Sequence, residues 1–222
     1  MIMWDSATIN MIITGVGETL LMVVLSTVFG YMFGLPLGVI LYSSDKDGIK
    51  PNAKLYRVLD IVVNIGRSIP FIILLILIIP FTRLLVGKSY GTAATIVPLT
   101  VSAIPFIGRM VESSLKEVDK GVIEAATSLG ATNFQIITKV LLVEALPSLI
   151  NGATICIGTI IGYSAMAGTV GGGGLGDIAI RYGYYRYQTD IMFVTVVIIV
   201  LLVQAFQYIG TTIAKKVDKR LK

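Results

Sequence analysis

The chain has 222 residues, 55% of them hydrophobic and only 14% charged, with a mean hydropathy of +0.86; soluble domains carry about 25% charged residues, so the composition excludes an ordinary soluble domain and indicates a membrane protein. The absence of histidine and the single cysteine, Cys156, exclude a disulfide framework, a cysteine metal cluster and any Ser-His or Cys-His nucleophile. The net charge of +5 would suit nucleic acid, but its distribution along the chain excludes that partner.

Residues 1–18 hold Asp5 and Glu18 and no Lys or Arg, so they lack the positive n-region of a signal peptide. A spanning helix needs about 20 mostly apolar residues, and five segments qualify. The first, Thr19–Tyr42, is uncharged. It places Gly30, Gly34 and Gly38 on one face at four-residue spacing, a stripe that permits close helix packing, within the subunit or across a dimer. Pro36 in the same segment predicts a kink. The second, Ile61–Phe81, is interrupted by Arg67. A charge in a span is costly and often functional. Asp60, seven residues away, is a candidate structural partner, the alternative being contact with a pathway or another subunit. The third, Gly91–Met110, is charged only at Arg109.

The fourth, Ala145–Gly168, is uncharged and carries Gly152, Gly158, Gly162 and Gly168. Cys156 within it reads as a buried small hydrophobe. Near its end stand Tyr163, Ser164 and Met166, for which packing is the plain reading. Gly171–Gly176, "GGGGLG", matches a dinucleotide-binding pattern by accident, because it follows a span rather than a strand. It reads as a flexible outer turn or as part of a moving outer gate. The fifth span is Ile191–Ala214, also uncharged.

Lys and Arg accumulate on the cytoplasmic side. With the N-terminus outside, the inner segments hold Lys46, Lys50, Lys54, Arg57, Arg109, Lys116, Lys120, Lys139, Lys215, Lys216, Lys219, Arg220 and Lys222, against Arg83, Lys88, Arg181 and Arg186 outside. That asymmetry predicts an N-out, C-in, multi-pass protein and explains the basic charge as a topology signal. The fold expected is all-α and integral to the membrane, a single transmembrane domain over 1–222 with a cytoplasmic interval at Val111–Glu144.

That interval has its own local code. Asp119 can N-cap a helix over Gly121–Leu129, Gly130 suits a left-handed helix end, and Thr132 with Gln135 matches a capping box. Phe134, Ile136, Ile137 and Val140 give the following helix an apolar face. Ala125 and Ala126 leave room for a second surface to approach. The segment is a helical hairpin on the membrane surface or a docking helix for a partner.

"EAATSLG", Glu124–Gly130, followed by "LP" at Leu146–Pro147, resembles the EAA loop of ABC-importer permeases. Glu124, Ala125, Ala126, Gly130 and Leu142 match that pattern, Val140 stands in place of Ile, and Val143 in place of a proline. "NIGRSIPFIILL", "IPFIGRMVE", "KVLLVEALPSLING" and "GYSAMAGTVGGGGLGDIAIRYGY" extend the resemblance to nearly the whole chain and are similar to the methionine-uptake (MetI-like) branch. The resemblance implies a type I importer half, forming the translocation path in a bacterial inner membrane as a homodimer. Glu124, Ala125, Ala126 and Gly130 then belong to a coupling helix that meets a separate ATPase, since the chain has no phosphate-binding Gly-x-x-x-x-Gly-Lys-Ser/Thr motif. ATP and Mg are expected on two such ATPase subunits, no cofactor in this chain, and substrate delivery from an extracytoplasmic binding protein. Met166, with Tyr163 and Ser164, corresponds to the outer gate. Other amino acids or small peptides are alternative cargoes. A secondary transporter would show repeats and midplane charges, and a membrane-embedded enzyme would need catalytic groups that are scarce here.

Overall fold

The computed structural model describes residues 5–218, and every regular element among them is helical. Lys219, Arg220 and Lys222, three of the cations assigned to the inner side, lie outside the described residues. Among the described residues, four helices are long and apolar enough to cross a membrane: α1 (Ser6–Ser44), α5 (Thr92–Lys116), α9 (Leu146–Ala167) and α11 (Thr189–Val217). Pro36 lies inside α1 without ending it.

The segment expected as one span at 61–81 is broken. Helix α2 (Ala53–Ser68) and α3 (Phe71–Leu77) meet at a bend of 101°, and α4 (Ile79–Val86) follows. The cause is local. Pro70 has no N–H to donate and disfavours helical backbone at Ile69, and Pro70 itself takes φ −57°, ψ 133°. Counting the bent pair as one span gives five crossings.

The chain divides into two compact units, to each of which the long helices contribute residues. One comprises the chain up to Phe29, Ile69–Ala103 and Ile157–Phe206. Its core is a crossing of backbones. After α9 comes a 3-10 turn (Gly168–Val170), then α10 (Gly174–Ile178) and a π turn (Ala179–Tyr184). A Cβ on Gly168 would overlap the backbone of Gly176 and Asp177, and a Cβ on Gly176 would lie 2.5 Å from Ala165 Cα. The glycine run is fastened rather than free. Glu18 Oε2 accepts from Gly174 N (2.7 Å), Thr19 Oγ1 from Leu175 N (2.9 Å) and Gly171 O from Gly91 N (2.8 Å), while Thr95 Oγ1 donates to Gly172 O (3.0 Å).

The other unit comprises Gly30–Ser68, Ile104–Cys156 and the chain from Gln207 on. Here Gly34 and Gly38 let α1 approach α5: a Cβ on Gly34 would stand 2.8 Å from Ile107, and one on Gly38 2.5 Å from Val111 Cβ and 2.6 Å from Gly108 O. The small-residue stripe therefore packs within the subunit, with Gly30 buried as well. Cys156 is a free, buried thiol.

Candidate functional site

The interval after α5 is built as a corner. Asp119 caps α6 (Lys120–Ser128), its Oδ1 accepting from Gly121 N at 2.7 Å. The helix closes with Ala131 N donating to Ala126 O (3.1 Å) and Gly130 N to Thr127 O (2.9 Å). That pair of bonds is a Schellman end, which needs a left-handed residue, and Gly130 supplies it at φ +79°. Thr132 and Gln135 then form the reciprocal capping box of α7 (Asn133–Gln135). A π turn (Ile136–Leu141) and α8 (Leu142–Glu144) lead into α9, with Val143 half exposed in the last turn before it.

No residue of α6 is buried. Glu124, Ala125 and Gly130 are exposed and Ala126 is half-buried. An amphipathic helix ordinarily hides one face; this one rests on the following π turn only through half-buried residues such as Ile123 and Ala126 and leaves the rest of its surface open. Beside it stand two apolar side chains in the open, Leu129 at 89% and Phe134 at 73% exposure. The sequence places Phe134 with Ile136, Ile137 and Val140 on the apolar face of the next helix. The structure instead buries Ile136 and Leu141 and turns Phe134 out. The signal available was adjacency: Phe134 follows the Thr132 cap by two residues, so it lies in the first turn, before the π turn redirects the apolar face.

The same unit holds a charge network that joins neighbours on α5 to residues far away in sequence. Glu112, with its side chain only 2% exposed, accepts from Arg109 Nη1 (2.7 Å), Lys116 Nζ (2.8 Å) and Tyr56 Oη (3.1 Å). Arg109 also pairs with Asp60 and donates to Asn64 Oδ1 (3.1 Å), and Lys116 pairs with Asp45 (2.7 Å). The Lys116 hydrogen bond holds the Asp45 carboxyl below the usual carboxylate range. The expected Asp60–Arg67 pair is absent. Asp60 is taken by Arg109, because α2 lies against α5 where Gly66 faces Pro105. Arg67 is exposed and makes no ion pair among the described residues.

In the first-described unit, Tyr163 stacks on Phe71, ring centroids 4.6 Å apart and planes 3° from parallel. Met166 is 50% exposed. Ser164 is buried and its hydroxyl donates to Ile161 O at 2.8 Å. Two positions apart on a helix point roughly 200° from each other, so Tyr163 and Met166 share a face that Ser164 does not.

This arrangement has known counterparts. Residues 34–222 match the family described as binding-protein-dependent transport system inner membrane component. The chain belongs to that family. It is thus a permease component of an ABC transporter, and its apolar helices are those of an inner-membrane protein. The chain is 53% identical over 217 residues to a probable D-methionine transport system permease protein MetI of Vibrio cholerae, covering 98% of this chain and 96% of that one. It is 57% identical over 158 residues to the D-methionine transport system permease protein MetI of Escherichia coli, covering 71% and 73%. A solved structure of the MetNI methionine ABC transporter in inward-facing conformations superposes with a TM-score of 0.95 at 51% identity, over 97% of this chain and 100% of that one. A structure of an amino acid ABC transporter with histidines shares the fold, with a TM-score of 0.77 at 18% identity.

Proposed function

We propose that this permease carries methionine inward as two copies about a two-fold axis, driven by two separate cytoplasmic ATPase subunits and supplied by an extracytoplasmic binding protein. The observation that carries the coupling part is α6: a helix with no buried residue, locked onto the chain by Asp119, Gly130 and Thr132, and flanked by exposed Leu129 and Phe134. The cargo rests on extended similarity to permeases named for D-methionine transport. ATP and Mg act on the ATPase, and this chain needs no cofactor of its own. ATP closes the ATPase pair, α6 of each permease moves with it, and the spans tip from inward- to outward-facing. Moving such an equilibrium from 1:99 to 99:1 takes about 5.5 kcal/mol, which a rigidly capped helix can transmit. The orientation that fits is N-terminus outside, with α6 in the cytoplasm.

The transport test uses proteoliposomes holding the permease with its ATPase and binding protein. Methionine uptake is expected to require ATP and to survive a proton uncoupler. Uptake that collapses with the uncoupler while ATP is present would make this a secondary transporter. Stronger uptake of a different amino acid or a small peptide would reassign the cargo.

Four variants test the parts. Leu129→Ser together with Phe134→Ser removes the exposed anchors; truncating such anchors costs about 2 kcal/mol, roughly thirtyfold in ATPase affinity. Glu124→Lys and Gly130→Val should weaken the same association with membrane insertion intact, the latter because a β-branched residue is strained at φ +79°. Co-purification of the ATPase at wild-type ratio with all of these would remove the docking role. Met166→Ala is expected to raise basal ATP hydrolysis and passive methionine leak, since a flexible thioether is lost from an exposed position beside Tyr163. Unchanged leak would leave Met166 as packing.

A further inference from the structure

A cavity of about 620 Å3 opens beside the glycine crossing, between the start of α5, the middle of α1 and the segment after α9. Its size lies within the range of about 300–1,000 Å3 typical of small-molecule sites. Four charged side chains line it: Glu18, Lys88, Asp177 and Arg181. Two of them satisfy each other, Arg181 Nη2 lying 2.9 Å from Asp177 Oδ2. The other two do not. Lys88 is exposed and makes no ion pair among the described residues. Glu18 uses Oε2 to hold Gly174 N, and its second oxygen has no hydrogen bond among them. One free cation and one half-free carboxylate thus face a single cavity without bridging it.

Gly91, Thr92 and Ala93 also line the cavity, so the N-terminus of the 25-residue α5 lies at its wall; Gly91 N is taken by Gly171 O, and no acidic side chain in the first turn answers the helix start. Amides at a helix start and a lysine together favour an anion such as phosphate. The four charges sum to zero, so the complementary ligand carries both signs.

The floor is apolar: Leu21, Leu25 and Ile96. It does not close. Leu21 is 50% exposed and Val28, seven residues further along the same face of α1, is 52% exposed, so the floor runs on as an open apolar strip along a spanning helix. Tyr90 stands on the rim at 68% exposure, a residue type enriched where membrane meets water. A free amino acid would answer the charges and leave the strip uncovered. An anionic lipid would cover the strip and leave Glu18 unanswered.

We propose that this cavity holds one phospholipid with a phosphoethanolamine headgroup, its phosphate toward Lys88 and the start of α5, its ammonium toward Glu18, and an acyl chain along Leu21, Leu25 and Val28. The lipid pins the glycine crossing from the membrane side, independently of what the transporter carries.

The test is native mass spectrometry of the detergent-purified permease–ATPase complex, delipidated and then titrated with phosphatidylethanolamine, phosphatidylglycerol, water-soluble glycerophosphoethanolamine or free methionine. One phosphatidylethanolamine per permease is expected to be retained in preference to phosphatidylglycerol. Lys88→Ala, an exposed position that leaves the fold intact, should lower its retention on the order of tenfold, as loss of one charge-assisted contact does. Glu18→Gln, which keeps an acceptor for Gly174 N, should narrow the preference over phosphatidylglycerol. Equal retention of the two lipids, or no effect of Lys88→Ala, overturns the site. Displacement of the lipid by glycerophosphoethanolamine or by methionine at equal concentration would show that the charges alone bind, and would overturn the lipid assignment.

Discussion

Gly168→Ala is expected to lower the unfolding midpoint of the purified protein sharply and to reduce its yield as a monodisperse species. The methyl group would meet backbone atoms of Gly176 and Asp177 rather than the tip of a side chain. Side chains can rotate away from an added methyl, but backbone in a crossing can yield only by separating the elements. Overpacking costs typically 1–3 kcal/mol and more where nothing can move, so about 3 kcal/mol or more is expected. Gly176→Ala should behave alike, its Cβ falling 2.5 Å from Ala165 Cα. Gly162→Ala is the control: nothing lies within 4 Å of its Cβ, and helical Ala is favoured over Gly. A melting curve for Gly168→Ala that overlays the wild type would mean that the crossing has room for a methyl group.

Glu112→Ala is the second large effect. It removes the carboxylate that holds Arg109, Lys116 and Tyr56 at once. Breaking a buried ion pair costs about 3–5 kcal/mol. Arg109 and Lys116 keep 24% and 43% of their side-chain surface exposed and retain Asp60 and Asp45, so a discounted loss of about 2–3 kcal/mol is expected here. Thermal unfolding in detergent measures it, and Glu112→Gln, which keeps the volume and one acceptor, should lose less. Equal losses for the two variants would show that packing, not charge, is what Glu112 contributes. The network also has a pH sense. Asp45 is held below its ordinary value by Lys116, so its contribution is complete above the unfolded carboxylate pKa of about 3.9 and fades as pH falls through the lower folded value.

Much of the site was legible in local chemistry. Asp119, Gly130, Thr132 and Gln135 each act on backbone groups within a few residues, so their roles follow from short spacing, and the structure places them accordingly. Gly34 and Gly38 were readable as a packing stripe because four-residue spacing defines one helix face, although the partner, α5, was not. Pro70 is the local cause of the break between α2 and α3, but it sits in an apolar run long enough to read as one span. Ser164 was grouped with Met166 by proximity in sequence, whereas helical geometry puts one inside and the other out.

What the sequence by itself determined is whatever depends on composition and near neighbours: the membrane class, the long apolar helices, the capped corner at Gly130 and the likeness of Glu124-Ala-Ala to a coupling loop. Only the tertiary structure decided that Asp60 answers Arg109 and not Arg67, that Phe134 faces out, and that the glycine run is a fastened crossing and not a loose turn. The reason is sequence distance. Asp60 and Arg109 are 49 residues apart, and Glu18 and Gly174 are 156. Which of several possible charge or backbone partners is reached depends on how helices cross, and a crossing is set by the steric fit of surfaces that no single segment contains.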